Sequence, residues 1–220
     1  MNDFIREVDE EYRRDRVLKA WQRYSGLIVA LAVALVLGVG GWRYWQHQQA
    51  VRAEAASSRF EEAGRLARAD KPEEAEQVLR SLGGEGPAGY QVLARLRLAA
   101  ETGQRDAEAG ARLFDAAAAD AAVSPVLQDL ARLRAAMLRL DTGDPAQVQA
   151  SLERLAAATN PWRHTAREML GLIGLKRGNF DAAGRWFDQI AADRETPASL
   201  RGRLEIYAAL VAGGPVQPTQ

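Results

Sequence analysis

The feature that most constrains this chain is a run of uncharged residues near its amino end. The run extends from Tyr24 to Trp42 and reads YSGLIVALAVALVLGVGGW. At roughly 1.5 Å per residue, a helix over these positions is about 28 Å long, close to the roughly 30 Å of hydrocarbon in a bilayer. Trp21 precedes the run and Trp45 follows it, as expected of aromatic rings at membrane interfaces. The run therefore predicts a transmembrane helix over residues 24–45.

A cleaved signal peptide is the main alternative, because Ala53-Glu54-Ala55 forms an A-x-A triplet downstream. The triplet lies well beyond the apolar run, and the bulky Trp42 occupies the place where a short cleavage region would be expected. The segment ahead of the run is also long and mixed in charge, unlike the amino end of a signal peptide. The sequence therefore favours an uncleaved anchor.

Basic residues are distributed unequally around the run. Six precede it, and they are Arg6, Arg13, Arg14, Arg16, Lys19 and Arg23. Only three follow over a comparable stretch, and they are Arg43, Arg52 and Arg59. Because cytoplasmic flanks carry the excess of Lys and Arg, residues 1–23 are predicted to be a cytoplasmic tail. The remainder is then exported, which indicates a single-pass protein of a bacterial inner membrane with a periplasmic carboxyl-terminal domain.

The predicted tail carries apolar residues at near-helical spacing, at Phe4, Val8, Tyr12 and Leu18. A helix with such a face can lie on the membrane surface. Its many acidic residues equally suit a solvated cytoplasmic helix, or a contact with a membrane partner. The sequence leaves these three interpretations open.

Composition excludes several classes of site. The chain has no cysteine, which excludes a disulfide framework and a thiolate zinc site. The residues after Arg43 include 22 basic and 23 acidic ones, and this balance argues against nucleic acid as a partner. His47 and His164 are far apart in sequence, and the Gly84–Gly89 match to G-x-G-x-x-G follows no strand. We therefore expect no metal, no cofactor and no enzymatic activity.

The part of the chain beyond the membrane is repetitive. Pro87, Pro125, Pro161 and Pro197 are separated by 38, 36 and 36 residues, which is the spacing of helix-turn-helix repeats. The segments between them have helical periodicity and no convincing strand pattern. The sequence LARLR at Leu93 also reappears later in the chain, at Leu130. Duplication of a helical hairpin accounts for both observations.

These patterns predict an all-α fold. Its parts are a single amino-terminal transmembrane helix, a helical stalk over 46–56, a repeat domain over 57–212 and a flexible tail over 213–220. Within the repeats, Asp144 and Asn179 are predicted to cap helices, since their side-chain oxygens can accept free backbone amides. Pro145 suits a first helical turn. The glycines at 103, 143 and 178 are predicted to end helices in the left-handed conformation.

The last unit shows the most specific pattern. Gly171, Gly178, Ala183 and Phe187 occupy the small, turn, small and aromatic positions of a tetratricopeptide repeat (TPR). Thr196-Pro197 then begins a capping helix that carries apolar residues toward the array.

Taken whole, the chain resembles the ancillary SecYEG translocon subunit family of membrane-anchored TPR proteins. The resemblance rests on the anchor ending in Gly41–Trp45, the four loose repeats and the Thr196-Pro197 helix start. It implies a periplasmic TPR domain beside the protein-export channel, with the Sec translocon and a periplasmic chaperone or folding factor as partners.

Two surfaces are candidate binding sites. Small residues at Gly26, Ala30, Ala34 and Gly38 form a row that would let another membrane helix pack closely, as in a homo-oligomer or against a channel helix. Such residues are also common in membrane helices generally. The second surface is a concave face of the first helices of the repeats, composed of Leu130, Leu133, Arg134, Met137, Met169 and Leu172. It would bind varied apolar segments, unless these residues are ordinary core.

The sequence thus predicts a membrane-anchored scaffold that binds proteins at the Sec translocon. A coordinator of envelope assembly or cell-wall synthesis, using the same TPR groove away from the translocon, is the alternative. A homo-oligomeric organiser built on the Gly26–Gly38 row is a third.

Overall fold

The computed structural model describes the backbone of residues 3–214 and the side-chain surroundings of residues 21, 23–27 and 29–214. Its helices are α1 (Asp3–Arg68), α2 (Pro72–Glu85), α3 (Ala88–Arg105), α4 (Ala107–Ala119), α5 (Pro125–Leu138), α6 (Pro145–Leu155), α7 (Arg163–Lys176), α8 (Phe180–Ala191) and α9 (Ala198–Gly213). The predicted all-α class is confirmed, since residues 3–214 contain no strand. The apolar side chains predicted on the tail helix, and residues 215–220 of the predicted flexible tail, lie outside the described residues.

The chain divides into two units, Met1–Ala55 and Ala56–Gln220. In the first unit the uncharged run is helical, and its large side chains are uncovered: Leu27 is 66% exposed, Leu31 66% and Leu37 69%. A helix that is apolar all round and unburied by protein is stable when lipid surrounds it. Of the described helices, α1 is the one long and apolar enough to cross a membrane.

The second unit is held together by successive hydrophobic clusters that neighbouring helices share. The first cluster contains Ala63, Leu79 and Leu98; the second Phe114, Ala118 and Ala131; the third Leu133, Leu152 and Leu170; the fourth Phe187, Ile190 and Leu204. Each cluster joins helices that follow one another in the chain. This is how a stacked repeat array stabilises its members, because each unit buries its apolar face on its neighbours.

Two of the predicted helix caps are confirmed. The Asp144 carboxylate accepts a hydrogen bond from the Ala146 amide at 3.0 Å, and the Asn179 side chain accepts one from the Ala182 amide at 3.0 Å. Pro145 occupies the first turn of α6, as predicted. These contacts satisfy amides that a helix leaves unpaired at its start.

The glycine predictions are only partly correct. Gly178 has φ +72 and ends α7 in the left-handed conformation, as predicted, whereas Gly143 does not have a positive φ. Gly103 lies inside α3 and is buried. Its role is close packing, because a Cβ on Gly110 of α4 would lie 2.6 Å from the Gly103 nitrogen. The prediction for Gly103 was wrong because a glycine at a helix crossing resembles a helix-ending glycine in sequence.

The α7–α8 hairpin agrees with the predicted TPR positions. A Cβ on Gly171 would lie 2.5 Å from the Cζ of Phe187, and one on Gly174 would lie 2.9 Å from the Ala183 nitrogen. Ala183 is completely buried. Small residues therefore allow these two helices to cross at short distance, and the aromatic ring fills the space beside them.

Candidate functional site

The predicted partner face on α5 and α7 is only partly accessible. Leu130, Met137, Met169 and Leu172 are half-buried, and Arg134 is exposed. Met137 and Met169 pack against the third hydrophobic cluster. These five residues therefore keep some surface that a partner could contact.

Leu133 belongs to the core. It is 2% exposed and lies in the same cluster as Leu152 of α6 and Leu170 of α7. A side chain with so little exposed surface cannot contact a partner. The prediction that Leu133 belongs to the partner face was therefore wrong.

A groove lies on the other side of α5. Its volume is about 380 Å³, within the roughly 300–1,000 Å³ of ligand pockets in proteins. The floor consists of small residues at the end of α4 and on α5, with one valine of α6, and these are Ala118, Ala119, Ala135, Ala136 and Val148. We call this the α4–α6 groove. It exists because alanines leave space that larger side chains would fill.

Arg132 of α5 and Arg139, the residue that follows α5, form fixed walls in the α4–α6 groove. The Arg139 guanidinium donates to Glu108 from Nε at 2.9 Å and to Asp115 from Nη1 at 2.7 Å. Arg132 donates to the Ala118 carbonyl at 3.0 Å. Since each guanidinium is held by partners on a neighbouring helix, the walls are formed before anything binds.

The carboxylate of Glu108, which holds Arg139 from α4, is kept in its ionised form. The hydrogen bond from Arg139 lowers the pKa of Glu108 below its ordinary value, and the same contact raises the pKa of Arg139. General acid–base catalysis instead needs a pKa close to the working pH. Glu108 is therefore suited to holding Arg139 in place and not to proton transfer.

The sequence offered no signal for the α4–α6 groove. Arg132, Ala135, Ala136 and Arg139 line this groove. At about 100° per residue they lie roughly 140–240° around the α5 axis from Leu130, whereas Arg134 lies about 40° from it, so the groove is on the opposite side of the helix from these two residues. Small residues occur both where a helix lines a groove and where it crosses another helix closely, so their spacing in the sequence does not distinguish the two cases.

The small-residue row of the first unit is exposed along its length, at Gly26, Ala30, Ala34 and Gly38. A Cβ added to Gly26 or Gly38 would have nothing within 4 Å. Packing within the described residues thus does not require glycine at these two positions. The row stays a proposed packing surface for another membrane helix.

Charged residues at the start of α7 fasten the loop that leads into α9. Asp193 accepts a hydrogen bond from Arg163 at 2.7 Å and one from the Glu195 amide at 3.0 Å. His164 Nε2 lies 3.0 Å from the same carboxylate, without hydrogen-bond geometry. The Arg163 and amide contacts hold the pKa of Asp193 well below its usual range.

A second ionic contact joins α7 directly to α9. The buried carboxylate of Glu168 accepts two hydrogen bonds from Arg203, at 2.8 and 3.0 Å, and one from the Tyr207 hydroxyl at 2.9 Å. Burial and this carboxylate together raise the pKa of Tyr207. Because a bidentate contact fixes both distance and orientation, it sets the position of the last helix on the array.

The Asp193 contacts make the stability of the repeat domain depend on acid pH. A carboxylate whose pKa is lower in the folded state contributes stability above its unfolded pKa of about 3.9, and this contribution is lost as the pH falls through the folded value. We expect the melting temperature, followed by circular dichroism of the full chain in detergent, to fall below about pH 4. The melting temperature of the Asp193→Asn variant should be lower at neutral pH and should change less as the pH is lowered.

Asp188 provides the matched control, since it is exposed and makes no ion pair with any described residue. Asp188→Asn should reproduce the melting profile of the unchanged protein. An Asp193→Asn variant that kept the full acid sensitivity would contradict the assigned role of this carboxylate.

Comparison with known proteins places these features in context. Residues 19–205 match the model of a family described as a tetratricopeptide repeat-like domain. The chain is also 28% identical over 186 residues to a protein of Aggregatibacter actinomycetemcomitans named ancillary SecYEG translocon subunit. That alignment covers 82% of this chain and 88% of the relative. No solved structure matches the chain significantly.

Proposed function

This chain belongs to the tetratricopeptide repeat-like domain family, and from that membership we propose that it is a membrane-anchored scaffold binding protein partners at the Sec translocon. The anchor crosses the inner membrane of a bacterium once, and the repeat domain lies in the periplasm. Its proposed partners are translocon subunits and a periplasmic chaperone or folding factor. The role is non-catalytic.

One observation carries this proposal: an apolar span that no described residue covers is followed in the same chain by a helical-hairpin array. The similarity to the protein named as a translocon subunit extends over 82% of the chain. The excess of basic residues ahead of the span supports a cytoplasmic amino end. Together these features support an array held at the outer surface of the inner membrane.

The mechanism we propose is local concentration. A tether restricts the array to the neighbourhood of the membrane, so that the effective concentration of a neighbouring partner is high. The partly exposed side chains Leu130, Met137, Met169 and Leu172, with the cation of Arg134, form the proposed partner face. Methionine side chains adapt to different apolar partners. Modest affinity then suffices for a chaperone or a channel loop.

Photocrosslinking in living cells tests the proposal. A photoreactive amino acid is placed in the full-length protein at Leu172 of the partner face, at Ala34 of the small-residue row, and at the exposed Gln189 of α8 as a control. We expect translocon subunits to be captured from Ala34, and a periplasmic folding factor from Leu172. Gln189 should capture neither.

Other outcomes decide between the alternatives. Capture of outer-membrane assembly or wall-synthesis proteins in place of translocon subunits would overturn the translocon assignment and support a coordinator of envelope assembly. Capture of a second copy from Ala34 alone would support the homo-oligomeric organiser, and Ala34→Leu should then abolish self-association.

A further inference from the structure

The α4–α6 groove has hydrogen-bonding capacity that the fold leaves unused. Gln147, Ser151 and Arg154 line one wall of it, and their spacing places all three on one face of α6. Among the described residues, the side chains of Gln147 and Arg154 make no hydrogen bond and no ion pair. The Ser151 hydroxyl donates to the Val148 carbonyl at 2.8 Å, and its oxygen can still accept a hydrogen bond. The wall on α6 therefore offers donors and acceptors to a ligand.

The opposite wall and the floor limit what can enter. The guanidinium groups of Arg132 and Arg139 are already held by partners within the array, so they shape the groove without providing a free charge. The Asp144 carboxylate caps α6. Arg154 is thus the lining cation that has no acidic partner among the described residues, and a ligand carboxylate would complement it.

The size of the groove favours an extended chain over a helix. The volume of about 380 Å³ is near the lower end for ligand pockets, whereas a helix with its side chains is about 10–12 Å wide. An extended segment turns alternate side chains to opposite faces. Small side chains would then meet Ala119, the exposed alanine of the floor, and the backbone could pair with the Gln147 amide, which both donates and accepts.

From these observations we infer that the α4–α6 groove binds an extended segment of a protein partner that combines small side chains with an acidic one, its carboxylate pairing with Arg154. The site lies on the opposite side of α5 from the partner face described above. It does not depend on the translocon assignment, and a failure of either proposal leaves the other standing.

Binding of short fluorescent peptides to the full-length protein in detergent tests this inference. The probes are peptides of Gly, Ala, Ser and Thr in which a single Glu is moved through every position, each with a Gln counterpart. At low ionic strength we expect at least one Glu peptide to raise the fluorescence anisotropy on binding. Its Gln counterpart should bind at least about threefold more weakly, as for an exposed ion pair.

Variants locate the site. Arg154→Gln should remove the preference for Glu over Gln, and Ala119→Leu, at an exposed position of the floor, should weaken binding of both peptides by filling the groove. Arg185→Gln is the matched control, because it removes an exposed arginine of α8 that lines neither the groove nor the partner face, and it should change nothing.

Three results would overturn the inference. They are no binding by any peptide of the set, a Glu preference that survives in Arg154→Gln, and an equal loss in Arg185→Gln. Circular dichroism establishes that each variant is folded. If Ala119→Leu does not fold, the Arg154→Gln variant still tests the inference, since the exposed Arg154 side chain makes no hydrogen bond or ion pair with any described residue.

Discussion

Replacing Gly110 by alanine should destabilise the repeat domain by about 3 kcal/mol, at the upper end of what overpacking costs. The added Cβ would lie 2.6 Å from the Gly103 nitrogen and 2.8 Å from the Ala99 carbonyl oxygen. Both are backbone atoms, so a change of rotamer cannot relieve the overlap and α3 and α4 must move apart. The melting temperature of the full chain in detergent should fall by roughly 10 °C, as expected for a domain of this size.

Gly89 provides a matched control in the same hairpin. It lies in the first turn of α3, and a Cβ there would have nothing within 4 Å. Because alanine is the better helix former, Gly89→Ala should leave the melting temperature unchanged or raise it. A Gly110→Ala protein that melts like the unchanged one would show that the helices do not cross as closely as described.

The second large effect concerns attachment to the membrane. Leu31→Arg combined with Leu35→Arg should release the protein from membranes, because each change from leucine to arginine at the centre of a span costs about 3–4 kcal/mol of insertion free energy. Both leucines are exposed in the described helix, so the substitutions leave packing within the protein intact. Carbonate extraction followed by immunodetection would find the double variant in the supernatant and the unchanged protein in the pellet.

The control for this experiment places the same charges outside the apolar run. Gln48→Arg with Gln49→Arg adds two arginines beyond Trp45, at an interface where long basic side chains are tolerated. This variant should stay in the pellet. Recovery of the Leu31→Arg, Leu35→Arg protein in the same pellet would mean that the run is not what holds the chain to the membrane.

Much of the architecture could be predicted because its physical causes are local in sequence. Lipid requires a long uncharged run, and a helix start requires a capping oxygen such as that of Asn179. The TPR assignment rested on Gly171 and Phe187, whose contact needs a residue without a side chain. The family match over residues 19–205 confirms that assignment, and the resemblance to the ancillary SecYEG translocon subunit family agrees with the named relative.

Features that depend on distant partners could not be predicted in the same way. Glu168 is buried, yet an acid next to Arg167 suggests a solvent-facing stretch until Arg203 is placed beside it. The repeat register alone placed Leu133 on the concave face, whereas residues of α6 and α7 cover it. The volume of the α4–α6 groove depends on the distances between three helices. None of these distances is encoded by spacing along one helix.

The fastening of α9 by Glu168 has a consequence for how the molecule is made. Phe187 and Ile190 are covered by Leu204 and its neighbours on α9, a helix that is synthesised after α8. Until they emerge, a nascent chain presents bare aromatic and aliphatic surface and a carboxylate without its counter-ion. A product that terminates before α9 therefore displays the kind of surface by which quality-control proteases and chaperones identify incomplete molecules.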